Sequence, residues 1–157
     1  MEISLAGWSI HRRFSAENEP LPLLDYPKVA AEEFDIHLIE LNSPFFVYDN
    51  PDDPATSGVS HSYLKELKQR ADDLDVGCLN IAVDGHGDLG TIDEAGRKQS
   101  VENHKKWVDI CCSLGCNAFR ANSGGRGEGD DESKIEQCIK SYGELSEHSK
   151  QAGIRLM

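Results

Sequence analysis

Two textures alternate along the chain. Short apolar runs fall at residues 3–10 (ISLAGWSI), 36–42 (IHLIELN), 77–84 (GCLNIAVD), 116–123 (CNAFRANS) and 153–157 (GIRLM). Each has the length of a strand. Between them, apolar side chains return every three or four positions: Tyr63, Leu64, Leu67, Ala71 and Leu74; then Val101, His104, Val108 and Cys111; then Ile135, Cys138, Tyr142 and Leu145. That spacing predicts amphipathic helices. Start signals precede them. Asp25 is placed to cap a first helix, with Pro27 tolerated in its opening turn. Thr91 and Glu94 read as a capping box, and Asp131 as the cap of the last helix.

The passage from helix into strand recurs at "EEFDIHLIEL", "DLDVGCLNI", "SLGCNAFRA" and "KQAGIRLM", at intervals of roughly 40 residues. Alternation of strand and helix at that period predicts βαβ units and a parallel sheet. Two architectures satisfy it, a (β/α)₈ barrel and an open doubly wound sheet. The open sheet would carry a GxGxxG turn after its first strand, where this chain has "HRRFSAENEPLPLL". Polar residues recur instead at the C-terminal end of each strand: Trp8 and Ser9, Glu40 and Asn42, Asp84 and His86, Arg120 and Asn122. A barrel places its active site there. Four βα units and a fifth strand make half of a barrel, which needs roughly 250 residues. The chain also stops at Met157 inside an apolar run. The expectation is that residues 1–157 are the N-terminal part of one barrel domain.

Composition narrows the partners. With 38% hydrophobic and 28% charged residues the chain is globular rather than disordered. A net charge of -12 repels nucleic-acid phosphates, so a DNA or RNA partner is not expected. No apolar stretch reaches the roughly 18 residues of a membrane span, and no signal peptide precedes the first strand. Cys78, Cys111, Cys112, Cys116 and Cys138 form no CxxC pair. They read as reduced thiols of a cytoplasmic protein. A zinc cluster of Cys111, Cys112 and Cys116 is disfavoured, because helical neighbours point apart.

The strand ends carry the candidate chemistry. Arg120 and Asn122 share one face of a strand. Arg120 needs a partner, either a carboxylate such as Glu40 or Asp84, or a ligand's hydroxyl, carboxylate or phosphate. Glu40 sits in an apolar run, so its charge also needs a partner or an open cavity. Trp8 offers either a wall for a sugar ring or a core aromatic at the rim. "VDGHGDLG", residues 83–90, reads as a strand exit whose glycines allow a tight turn. It lacks the Lys and Ser/Thr spacing of a phosphate loop. His104 and Trp107 read as core. "GGRGEGDD" reads as a loop whose Arg126 can reach an anionic ligand. Residues 43–59 hold three prolines and three aromatics (Phe45, Phe46 and Tyr48). They read either as a lid or as a surface excursion packed by its own side chains.

The stretch "DGHGDLGTIDEAGRKQSVENHKKWVDICCSLGCNAFRANSGG" resembles the sugar phosphate isomerase/epimerase family, the xylose-isomerase-like barrel that also contains endonuclease IV. "ISLAGWSIHRRF", "LDYPKVAAEEFDI" and "IELNSPFF" are similar to that family's first two units. The resemblance implies metal-assisted isomerisation or epimerisation of a small sugar or sugar phosphate. An endonuclease IV-like hydrolase and a non-catalytic sugar-binding barrel remain as alternatives. It also implies a divalent ion (Mn, Mg, Co or Zn) whose main ligands fall beyond Met157, so no metal ligand is carried onto this chain. Under the resemblance His86 is a metal ligand, a substrate contact or a loop histidine without chemistry. Trp8, Glu40, Asn42, His86, Arg120 and Asn122 stand as the expected sugar contacts. The catalytic residues stay unassigned, and homo-oligomerisation stays open.

Overall fold

A computed structural model describes residues 3–125 and 127–157. Five strands lie side by side in chain order: β1 Leu5–Ala6, β2 Leu38–Asn42, β3 Gly77–Val83, β4 Ala118–Ala121 and β5 Arg155–Leu156. Every neighbouring pair is parallel. An order with no reversal is that of a barrel wall; a doubly wound sheet reverses at a switch point. Helices α1 His11–Phe14, α2 Tyr26–Phe34, α3 His61–Asp73, α4 Glu94–Leu114 and α5 Asp131–Gln151 fill the connections. The last three are the helices that the apolar spacing predicts, and α2 is the one that Asp25 and Pro27 announce. α1 lies in the segment after the first strand, where no helix is predicted.

The repeated passage from helix to strand has one physical basis. Asp35, Asp75, Gly115 and Gly153 all take positive φ, from 54° to 73°. The left-handed residue reverses the chain out of the helix. The next N–H then reaches back five residues at Val76 (to the Ala71 carbonyl, 2.8 Å), Cys116 (to Cys111, 2.9 Å) and Ile154 (to Ser149, 2.9 Å). At Ile36 it reaches back six, to Ala30 at 3.0 Å. These bonds satisfy carbonyls that a helix end otherwise leaves open. The apolar residue after each turn then enters the next strand with its side chain inward.

The sheet has two unlike faces. Ile39, Leu41, Ile81, Val83 and Phe119 join a continuous core with Ala30, Leu67, Val108 and Leu145 of the helices. The opposite face carries Ala6, Glu40, Asn42, Asn80, Ala82, Ala118 and Arg120, as register and alternation require. Although the strands read as apolar runs, this second face is small and polar. A bulge lies between β2 and β3, where Cys78 pairs with Ile39 and Asn80 with Glu40. Leu79 is the extra residue and is partly exposed.

Several sequence expectations shift by a few residues. The first apolar run pairs only over Leu5–Ala6, because Gly7–Ile10 winds into a 3-10 turn that leads into α1. The fourth begins at Ala118, since Cys116 belongs to the stop of α4. Asp93, not Thr91, caps α4 by accepting from the Gly96 N–H, and Asp130, not Asp131, caps α5 by accepting from Ser133. Asp25 stands at the start of α2, but its carboxylate makes no cap bond and pairs with Arg70 at 2.6 Å. Cys111 is buried and Cys112 exposed on α4, pointing apart as helical neighbours do, and all five thiols are free. No helix among the described residues is long and apolar enough to cross a membrane.

Candidate functional site

The loops after β2, β3 and β4 meet at the C-terminal end of the sheet. Ser43, the first residue past β2, is fully buried. Its hydroxyl accepts from the Asp84 N–H at 2.8 Å and donates to the Asp84 carbonyl at 2.9 Å. The exits of β2 and β3 are thereby fixed to each other. The Asp88 carboxylate does the same for β3 and β4, accepting from the N–H groups of Gly90 (2.8 Å) and Gly125 (2.6 Å). Gly87 has φ 106°, and a Cβ there would lie 2.3 Å from the Ser100 hydroxyl, so only glycine lets this loop lie on α4.

Asp84, Arg120 and Asn122 come together. Asn122 donates its amide to Asp84 Oδ1, and Arg120 donates to the Asn122 amide oxygen. Arg120 Nη2 lies 3.5 Å from the same Asp84 oxygen. Of the two carboxylates expected for Arg120, the structure supplies Asp84. Glu40 is held elsewhere, accepting from Ser4 Oγ at 2.6 Å and from the Asn80 amide at 3.1 Å. Asp84 Oδ2 is buried and has no hydrogen-bond partner among the described residues.

His86 is buried, and both its ring nitrogens face the 43–59 loop. Nε2 lies 3.1 Å from the Tyr48 hydroxyl and Nδ1 3.3 Å from the Ala55 carbonyl. Trp107 of α4 packs against the ring edge to face, with centroids 5.0 Å apart. Burial pushes the His86 pKa down to about 4, so the imidazole is neutral near pH 7. The Tyr48 hydroxyl also donates to the Ser43 carbonyl at 2.7 Å, and Lys106 donates to the Thr56 carbonyl. The 43–59 loop therefore satisfies part of each reading. Phe46 packs on Trp107 and Phe45 stacks on Phe14, yet the loop also roofs a cavity of about 700 Å³ reaching Asp84 and His86.

A second cavity, of about 520 Å³, lies on the other side of the β3 exit, between Asp84, Asp88, His104, Asn122 and Ser123. Asp84 and Gly85 line both. Trp8 lines neither of them. It meets Phe45 edge to face at 5.3 Å and lines a separate cavity with Phe14 and Leu24. Asn42 is buried, and its Oδ1 lies where a Cβ on Gly7 would intrude at 2.5 Å. Arg126 falls outside the described residues. The six expected contacts thus divide: Arg120 and Asn122 join Asp84, His86 braces the neighbouring loop, and Trp8, Glu40 and Asn42 each stand in other surroundings.

Three residues of this region were not anticipated as site residues. Ser43 and Asp88 act on backbone groups of other loops, which spacing does not reveal. His104 shows helical periodicity and reads as core, yet it lines the smaller cavity. Among the described residues no three His, Cys, Asp or Glu side chains converge as a metal's donor set would. Asp84 and His86 leave one loop but diverge. The residues present do not fit a divalent ion.

The family model for the xylose isomerase-like TIM barrel matches residues 30–157. No curated protein matches the sequence. Among solved structures, D-psicose 3-epimerase from Clostridium cellulolyticum H10 with D-tagatose superposes with a TM-score of 0.74 at 14% identity, covering 99% of this chain and 51% of that one. A D-psicose 3-epimerase solved in the presence of D-fructose gives 0.70 at 13% identity, with 99% and 51% covered. L-ribulose 3-epimerase gives 0.68 at 21% identity, with 99% and 48% covered. The chain spans about half the length of these structures.

Proposed function

The chain belongs to the xylose isomerase-like TIM barrel family, and from that premise we propose that its strand-end cavities bind a small unphosphorylated sugar on behalf of a sugar isomerase or epimerase. The proposal takes the five strands as the first five of an eight-stranded barrel domain, in line with the half-length match to the solved epimerases. One observation carries the substrate class. Asp84 lines both cavities, and no Lys or Arg lines either of them among the described residues. Carboxylates and neutral imidazoles accept hydrogen bonds from sugar hydroxyls, whereas a phosphate dianion would meet Asp52, Asp53, Asp84 and Asp88. Arg120, beside Asp84, is engaged by Asn122 and Asp84. The D-psicose 3-epimerases solved in the presence of D-fructose and with D-tagatose support the same class. The roles proposed for the chain's residues are binding and orientation: Asp84 accepts a hydroxyl hydrogen, Arg120 and Asn122 hold that carboxylate in place, and the 43–59 loop excludes water. No proton transfer is assigned, because the donor set for a metal is not among these residues.

Isothermal titration with D-fructose, D-tagatose and D-fructose 6-phosphate tests the proposal. Saturable binding of a free ketose, weaker for the phosphorylated form, is the expected result. Tighter binding of the phosphate would reverse the substrate class, and binding of none would sink the proposal.

A further inference from the structure

His104 lies one helical turn past Ser100 on α4, with 2% of its surface exposed. Its Nδ1 is 2.7 Å from the Ser100 carbonyl. A carbonyl only accepts, so Nδ1 carries the hydrogen. Burial lowers the pKa of the ring, which keeps it neutral. In the neutral ring Nε2 then holds a lone pair. No described residue donates to Nε2, and it is not among the fully enclosed polar atoms that lack a partner. His104 nevertheless lines the 520 Å³ cavity, as does Asp84, whose Oδ2 is also unpartnered. The Asn122 amide gives one of its hydrogens to Asp84 Oδ1. The Nε2 lone pair therefore borders a polar cavity, lined also by Asp84 and Ser123, without receiving a hydrogen from any described side chain. An acceptor shut away without a partner costs free energy, and a ligand hydroxyl that supplies the hydrogen recovers it.

We infer that His104 is a ligand-contacting residue, whose Nε2 accepts a hydrogen bond from a hydroxyl of the bound sugar in the cavity between the β3 and β4 exits. The inference rests on the proposal of sugar binding and adds to it a specificity determinant. Nε2, with only a lone pair, selects a hydroxyl donor at that ligand position and rejects a carbonyl or a hydrogen. His86, by contrast, has both ring nitrogens turned to the 43–59 loop and serves as an internal reference.

The test is a ¹⁵N NMR titration of the imidazole nitrogens with D-fructose, run beside binding measurements on His104→Phe, which keeps a buried aromatic ring and removes the acceptor. The expected result is that the His104 Nε2 resonance moves toward its protonated range, while Nδ1 of the same ring and both nitrogens of His86 stay in place. His104→Phe should bind the ketose about fivefold more weakly, the loss of one neutral hydrogen bond. Binding with Nε2 unmoved would overturn the inference and leave the proposal of sugar binding intact. Absence of binding would overturn both. Should His104→Phe not fold, the wild-type titration alone decides.

Discussion

Ser43 holds Asp84 by both of its backbone polar groups, accepting from the N–H at 2.8 Å and donating to the carbonyl at 2.9 Å. A single buried hydroxyl thereby sets the distance between the exits of β2 and β3, on either side of the proposed sugar site. Ser43→Ala leaves the Asp84 N–H and carbonyl without that partner. The expected cost is about 1–3 kcal/mol of stability, read as a fall in the urea midpoint with little change in slope. A midpoint within error of wild type would show that water replaces the hydroxyl and that the bridge is dispensable.

The pH dependence follows from His86. Burial holds its folded pKa near 4, against an ordinary 6.5. Below pH 6.5 the unfolded chain takes up a proton that the folded chain refuses. The unfolded state thus binds more protons between about 4 and 6.5, and stability falls as pH drops through that window. The direction is the same for His104, also lowered by burial. Glu94, held at about 2 by Arg97, contributes only below the ordinary carboxylate value of 4.5, so the interval from 6.5 down to 4.5 belongs to the histidines. The expected loss from His86 across its full window is on the order of 2–3 kcal/mol. Urea unfolding at pH 7.5 and 5 measures it. His86→Gln should flatten the dependence; an unchanged slope in that variant would refute the assignment.

The fold was largely legible because its signals are periodic and redundant. The runs 36–42 and 77–84 contain β2 and β3 almost unchanged, three helices follow the apolar spacing, and α2 follows the start signal at Asp25 and Pro27. The first run misled because Gly7–Ile10 is apolar without being extended, and hydrophobicity does not encode φ and ψ. Thr91 lost the cap to Asp93, two residues nearer the helix, because a carboxylate there reaches the Gly96 N–H directly. The site was less legible. Residue type and strand register brought Arg120 and Asn122 to Asp84, since one-face alternation is geometric. Trp8, Glu40 and Asn42 sit at equivalent repeat positions, but Trp8 packs on Phe45, Glu40 is held by Ser4 and Asn80, and Asn42 is buried close against Gly7 with its Oδ1 unpartnered among the described residues. His104 was read as core because periodicity reports that a side chain is buried and says nothing of which ring nitrogen is satisfied.

Asp84→Asn separates ligand binding from stability. In the wild type, Oδ1 accepts from Asn122 and faces Arg120, while Oδ2 is buried without a partner. An asparagine can keep its oxygen at the Oδ1 position, where Asn122 donates, and place its amide nitrogen at the Oδ2 position. The fold then loses only the attraction to Arg120, whose side chain is 40% exposed. A pair so exposed is worth roughly 0–1 kcal/mol. The cavity loses much more, because the negative charge of the carboxylate that lines it is gone. Hydrogen bonds to a charged group contribute about 1.5–3 kcal/mol, so ketose affinity should fall at least about tenfold. The urea midpoint should meanwhile move little, because an unpartnered carboxylate oxygen is exchanged for an unpartnered amide nitrogen. Titration calorimetry with D-fructose and urea unfolding on the same preparation read the two effects side by side. A variant that binds as well as wild type would show that Asp84 only organises the loops, and would shift the sugar's acceptor to the remaining side chains of the cavity.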